Sequence, residues 1–213
     1  MSEINRVRDD ICRVGASLFN RGLTAGSSGN ISVRLSDGGW LMTPTNASLG
    51  ALDPDRLSLF DASGTLLSGD APTKEAFLHF SMYGERADAG AVVHLHSSHA
   101  TAVSILRDVD PQDALPALTA YYVMRIGRLP LVPYFAPGDP NLAHAVKALA
   151  SRHHAVLLAN HGPVVAGASL VNAQYAMEEL EETAKLFLML QNHVLRTLTP
   201  EQVADLRQRF HLA

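Results

Sequence analysis

Two short apolar runs constrain this chain most: Ala91-Val92-Val93-His94-Leu95-His96 and Ala155-Val156-Leu157-Leu158-Ala159. Each is too short for a typical helix and almost unbroken in hydrophobicity, which predicts strands buried inside a sheet. Such strands need covering elements on either side. Ile4, Val7, Ile11, Val14 and Leu18 recur at spacings of 3, 4, 3 and 4, the pattern of an amphipathic helix that Gly22 can stop. Pro72 can open a second helix running to about residue 86. Further helices are predicted near 98–106, over 141–150 and 201–210, and along 169–195, where Leu180, Ala184, Phe187, Leu188 and Leu190 share an apolar side.

The remaining strands are shorter. Ile31-Ser32-Val33-Arg34-Leu35 alternates, Ser36-Asp37-Gly38-Gly39 turns, and Trp40-Leu41-Met42 returns as the second arm of a hairpin. Segments 131–134 and 163–166 read as strands, and Pro137-Gly138-Asp139-Pro140 as a turn. Tyr121 and Tyr122, within 118–124, read as neighbouring strand residues, one buried and one exposed, or as carrying a phenol into an active site. No repeat or linker interrupts the pattern. Strands and helices mix without regular βαβ alternation. The expected fold is a single-domain α/β/α sandwich over residues 1–213, built around a mixed, largely antiparallel sheet.

Composition narrows the partners. Seventeen Lys and Arg against 21 Asp and Glu give a net charge of −4, without the basic face that nucleic-acid binding needs. Cys12 is the sole cysteine, so no disulfide can form within the chain. The opening MSEINRVRDD is charged from the start, and LFLMLQNHVL is too short and polar to span a bilayer. The expectation is a soluble cytoplasmic protein with neither nucleic-acid nor membrane partners.

The chemistry centres on His94-Leu95-His96. Side chains two apart on a strand share a face, so two imidazoles can take adjacent positions around a tetrahedral metal ion. Taken alone, the motif is weak and more often marks structural histidines than a metal pair. His161 follows the second apolar run and precedes a glycine, where a side chain can reach a cleft or simply cap a carbonyl. Of the other histidines, His99 opens a helix and is expected to point elsewhere, while His153 and His154 follow Arg152 and are expected to be exposed. Glu75 lies where a loop runs into a helix; a carboxylate there complements the helix dipole, or serves as acid/base beside a metal. Ser28-Gly29-Asn30 and Thr43-Pro44-Thr45-Asn46 are small-residue turns able to cradle a phosphate, and Thr73 and Lys74 can join them at a helix start.

In this order the pieces resemble the class II aldolase/adducin family: GNIS at 29–32, TPT at 43–45, an acidic residue at Glu75, VVHLHSSHATAVSIL from Val92, and NHG at 160–162. The resemblance covers nearly the whole chain. It implies His94, His96 and His161 as Zn²⁺ ligands, one ion per subunit, with Glu75 as acid/base that also touches the metal. Mn²⁺ or Co²⁺ suits imidazole ligands too. It implies phosphate contacts from Asn30, Thr45 and Thr73, and a C4 homotetramer with its active site at a subunit boundary. Relatives that cleave fuculose phosphate carry TPTG and Ser-Ser-Glu; here Asn46 follows TPT, and Thr73-Lys74-Glu75 replaces the second run. With LTAYYVMRIGRLPLVPYFAPGDP from Leu118, this resembles the branch that decarboxylates 3-oxo-tetronate 4-phosphates.

That branch implies a phosphorylated sugar acid as substrate. Its C3 is a ketone and C1 a carboxylate, so it is a β-keto acid. Zinc chelated by the C2 and C3 oxygens would act as a Lewis acid, and loss of CO2 would leave a metal-bound enediolate. Glu75 or Tyr121 would protonate it to dihydroxyacetone phosphate. Retro-aldol cleavage leaves the same kind of enediolate, so a sugar-phosphate aldolase or epimerase is the alternative. A metal-free scaffold like the adducin head is a third reading, against which the intact histidine set with Glu75 argues.

Overall fold

The computed structural model describes residues 2–136 and 138–210. Pro137, from the expected 137–140 turn, lies outside the described residues, as do Met1 and residues 211–213.

Ser2 caps the first helix, α1 (Glu3–Asn20), by accepting from the Asn5 N–H. Its stripe Val7, Ile11, Val14 and Leu18 is buried, as the spacing predicts. The hairpin follows as β1 (Asn30–Arg34) and β2 (Trp40–Met42). Two further strands, β3 (Ser58–Phe60) and β4 (Leu66–Ser68), extend the sheet beyond the sequence reading. Helix α2 (Ala76–Glu85) begins four residues after Pro72, and Glu75 stands at its N-cap. The Thr73 hydroxyl accepts from the Glu75 N–H at 3.2 Å, a side-chain turn that holds the chain out of helix until Ala76.

The first apolar run is β5 (Ala91–His94), followed by α3 (Ser98–Ile105). The Tyr121–Tyr122 segment is not a strand. It forms α4 (Ala120–Arg125), because the Thr119 hydroxyl accepts from the Tyr122 N–H at 3.0 Å and caps a helix there. After β6 (Leu131–Val132), Asp139 caps α5 (Pro140–Ala150) with Pro140 at its first turn. The second apolar run is β7 (Ala155–Leu158), which turns into β8 (Gly162–Gly167). Helices α6 (Leu170–Leu190) and α7 (Pro200–Phe210) close the described chain.

The strands form one sheet in the order β4-β3-β2-β1-β5-β8-β7-β6. Among the described residues only the β6–β7 pair is parallel. The sheet is covered on both faces, and the alternation of its central strands divides the core. Ala91, Val93, Leu157 and Val165 face a cluster built with α1, α3, α4 and α6; Val92, Val156, Val164 and Ala166 face one built with α2 and α5. The α/β/α sandwich therefore stands. No helix among the described residues is long and apolar enough to cross a membrane.

Candidate metal centre

Three segments that are remote in sequence meet at the α2 side of the sheet. Strand β1 pairs antiparallel with β5, so that Asn30 lies opposite His94. Strand β5 pairs with β8, with His94 opposite Val164. The turn from β7 to β8 carries His161, with Asn160 in the left-handed region at φ 57°. Gly162 presses this turn against the chain after β5: a Cβ there would sit 2.2 Å from the Leu95 carbonyl oxygen. Gly29 has a similar role at β1, where φ is +82° and a Cβ would lie 3.0 Å from the His94 carbonyl oxygen.

The result is a cluster of Glu75, His94, His96 and His161 whose ligand atoms lie within 4.8 Å of one another. His161 Nε2 is 2.9 Å from His96 Nε2 and 3.3 Å from His94 Nε2. Glu75 Oε1 is 3.0 Å from His161 Nε2, and Oε2 is 3.4 Å from His94 Nε2. Metal–nitrogen bonds of about 2.0–2.1 Å in a tetrahedral shell separate two ligand nitrogens by roughly 3.3 Å. His94 Nδ1 donates to the Pro163 carbonyl at 2.8 Å, which leaves Nε2 bare and aimed into the cluster. Burial lowers the His94 pKa to about 4, keeping the ring neutral. Burial pushes the Glu75 carboxyl up, but the hydrogen bond from His161, the neighbouring His94 and His161 imidazoles and the bond from Asn30 outweigh it and lower its pKa well below the ordinary carboxylate value. One shared proton could bridge one nitrogen pair; a divalent metal ion satisfies all the converging lone pairs at once. The donor set fits such an ion, with His96 on the solvent side.

A cleft of about 400 Å³ opens beside the cluster. Ser28, Gly29, Asn30, Thr45, Asn46, Thr73 and Lys74 line it with Glu75, His96 and His161, and Phe77, Phe135 and Leu142 add apolar wall. An isolated bridge between Pro44 and Pro72 brings the 43–46 loop beside the α2 start. Thr43 is not part of this lining. It is buried, and its hydroxyl accepts from the Ile31 N–H at 3.1 Å.

Other histidines fall outside the cluster. His99 turns to α6, with Nδ1 2.8 Å from Glu181 Oε1. His153 and His154 are half-buried rather than exposed, and His154 Nε2 donates to the Arg125 carbonyl at the end of α4 at 2.7 Å. Tyr122 is buried and Tyr121 is 61% exposed, in a separate surface depression with Arg125 and Tyr175. Within one chain Tyr121 is therefore not brought to the cluster. The sequence reading missed His79, which is buried directly behind Asn30 with Nε2 2.5 Å from Asn30 Oδ1. Its signal was the spacing of four from Glu75 along one helix.

Relatives of this chain are recognisable both by sequence and by fold. The 3-oxo-tetronate 4-phosphate decarboxylase of Pectobacterium atrosepticum is 48% identical over 206 residues, spanning 97% of this chain and 94% of that protein. The L-fuculose phosphate aldolase of Escherichia coli K12 is 31% identical over 212 residues, 98% of this chain and 95% of that protein. Among solved structures, YgbL from Escherichia coli superposes with a TM-score of 0.94 at 46% identity, covering 97% of this chain and all of that one. The family model of the class II aldolase and adducin N-terminal domain matches residues 9–188. The chain belongs to that family.

Proposed function

We propose that this chain decarboxylates a 3-oxo-tetronate 4-phosphate to dihydroxyacetone phosphate and CO2. The observation that carries the reading is the convergence of Glu75 with His94, His96 and His161 on the floor of a cleft lined by hydroxyl and amide groups. Identity favours decarboxylation, at 48% to the decarboxylase against 31% to the aldolase. The three histidines would hold zinc, which as a Lewis acid polarises the 3-oxo group.

The chain's own groups do the rest. Lys74 supplies a cation for the phosphate, and Ser28, Gly29, Thr45, Asn46 and Thr73 supply hydroxyl and amide groups around it, while Asn30 borders the cradle with its side-chain amide committed to Glu75, Thr73 and His79. Thr43 acts only by holding its loop. Phe77, Phe135 and Leu142 exclude water from one side. When the C1–C2 bond breaks, its electron pair becomes the C2=C3 double bond of an enediolate and C1 leaves as CO2. Glu75, ionised at rest, takes up from solvent, past exposed His96, the one proton that the reaction consumes and delivers it to C2. In this reading Tyr121 acts as a proton donor only in the site of a neighbouring subunit, in a cytoplasmic homotetramer of single-domain chains spanning 1–213.

Retro-aldol cleavage of a ketose phosphate is the second reading, because it passes through the same enediolate on the same groups. A panel of four-carbon 3-oxo acid 4-phosphates and ketose 1-phosphates, scored for CO2 and dihydroxyacetone phosphate, separates them. CO2 release from the acids supports decarboxylation. Cleavage of ketose phosphates alone overturns it.

A further inference from the structure

His79 and Tyr83 lie one turn apart on α2, in line with Glu75 at its N-cap. Facing them, Asn30 and Ser32 are two apart on β1 and share one face of the sheet. Their side chains interlock. Tyr83 Oη lies 2.9 Å from Ser32 Oγ, and Ser32 Oγ lies 2.7 Å from His79 Nδ1. His79 Nε2 lies 2.5 Å from Asn30 Oδ1. Asn30 Nδ2 then reaches Glu75 Oε2 at 2.8 Å and Thr73 Oγ1 at 3.2 Å. His79 and Ser32 are both 0% exposed, so neither is open to bulk water.

The chain of bonds has a direction. An asparagine amide is nearly symmetric in shape, so its partners alone decide which end faces where. Burial lowers the His79 pKa to about 3, so the ring is neutral and carries a single N–H. With that hydrogen on Nε2, His79 donates to Asn30 Oδ1, Nδ1 accepts from Ser32, and Ser32 accepts from Tyr83. With the hydrogen on Nδ1 every bond reverses, and Asn30 turns its oxygen toward the Glu75 carboxylate. Two acceptors cannot share a 2.8 Å contact while Glu75 is ionised.

We infer that His79 is a positioning residue: as the Nε2–H tautomer it pins the Asn30 amide with its NH2 on Glu75 Oε2, leaving Oε1, 3.0 Å from His161 Nε2, as the oxygen that carries the proton. The inference rests on the reading of Glu75 as acid/base, but the tautomer can be observed independently of it.

Magic-angle-spinning ¹⁵N spectra of histidine-labelled, metal-loaded protein distinguish a bare from a protonated ring nitrogen. His79 is assigned by its loss in His79→Gln. The expected result is a neutral ring with its hydrogen on Nε2; a hydrogen on Nδ1 overturns the inference. Kinetics supply the second arm. His79→Leu should lower kcat at least about tenfold with KM little changed, as expected for one weakened charge-assisted hydrogen bond. His79→Gln, whose amide nitrogen can take the place of Nε2, should restore most of that loss. In an Asn30→Ala background, His79→Leu should cost less than about twofold more, since it acts through Asn30. Additive losses in protein that stays folded and metal-loaded overturn the inference. Normal turnover by Glu75→Gln would instead strike at the acid/base reading and leave the tautomer result standing.

Discussion

Gly162→Ala tests the metal centre without touching a ligand. The new Cβ would lie 2.2 Å from the Leu95 carbonyl oxygen and 3.2 Å from the His96 Cα. A relaxed carbon–oxygen contact is roughly 3.3 Å, so the turn carrying His161 must retreat by about 1 Å. Both close contacts are backbone, so no side chain can swing aside to absorb the change. Metal–ligand distances tolerate about 0.2 Å, and a catalytic group displaced by about 1 Å loses on the order of a hundredfold in rate. Overpacking of this kind costs about 1–3 kcal/mol of stability, a fall of some 2–4 °C in Tm per kcal/mol for a domain this size. The variant should therefore stay folded at room temperature, bind metal poorly and turn over at about one per cent of the wild-type rate or less. Metal per chain after dialysis, Tm by circular dichroism and kcat under added metal measure the three effects. Wild-type occupancy and turnover would refute the argument that Gly162 sets the distance between His161 and His96.

Glu75→Gln should retain the metal through the three histidines yet lose at least about a hundredfold in turnover; wild-type kcat would remove it as acid/base. A substrate lacking the phosphate should show far lower kcat/KM, because remote binding energy positions the reacting carbon, and equal values would contradict the proposed cradle. Burial, reinforced by Asp9 and Asp53, raises the Cys12 thiol pKa from 9.0 to about 11. Cys12 should thus react with iodoacetamide at pH 8 about a hundredfold more slowly than an ordinary cysteine, and an ordinary rate in folded protein would count against that microenvironment. His79 has a folded pKa of about 3 against an ordinary 6.5, so the unfolded chain binds more protons between these values. Stability from this group is full above about pH 6.5 and is lost as pH falls toward 3, and urea titrations of His79→Gln should show a shallower acid slope; an unchanged slope would argue against it.

The sandwich was legible in the sequence because its central strands are almost wholly apolar and its first helix carries a clear 3.6-residue stripe. Of the histidine cluster, His94 and His96 were legible as a pair because they share a strand face, whereas His161 and Glu75 joined them only through the ordered motifs of the family resemblance. Other features were decided by contacts with no local signature. Strands β3 and β4 have three residues each, too few for a period, and β4 is exposed throughout. Tyr121 and Tyr122 have strand-forming side chains, but the Thr119 cap outweighed that propensity. His154 follows an arginine and looks solvent-facing, yet a bond to the Arg125 carbonyl draws it inward. Thr43 belongs to a loop that does reach the cleft, but its own hydroxyl is committed to β1. His79 passed unnoticed because its partners, Asn30 and Ser32, lie almost fifty residues away on another element.

That separation bears on how the centre comes into being. His94 and His161 are 67 positions apart, and Asn30 and Glu75 are 45 apart. In the unfolded chain only His94-Leu95-His96 offers two ligands close together. The loops between β1, β5 and β8 must close before the remaining groups meet, which places the assembled centre late in folding. An ion that binds only after the barrier cannot speed the climb. It can only slow escape from the native state, by adding its binding free energy to what must be broken on the way out. Metal should leave the refolding limb of a chevron where it is and lower the unfolding limb, so that its loss shortens the lifetime of the folded chain without making it harder to form.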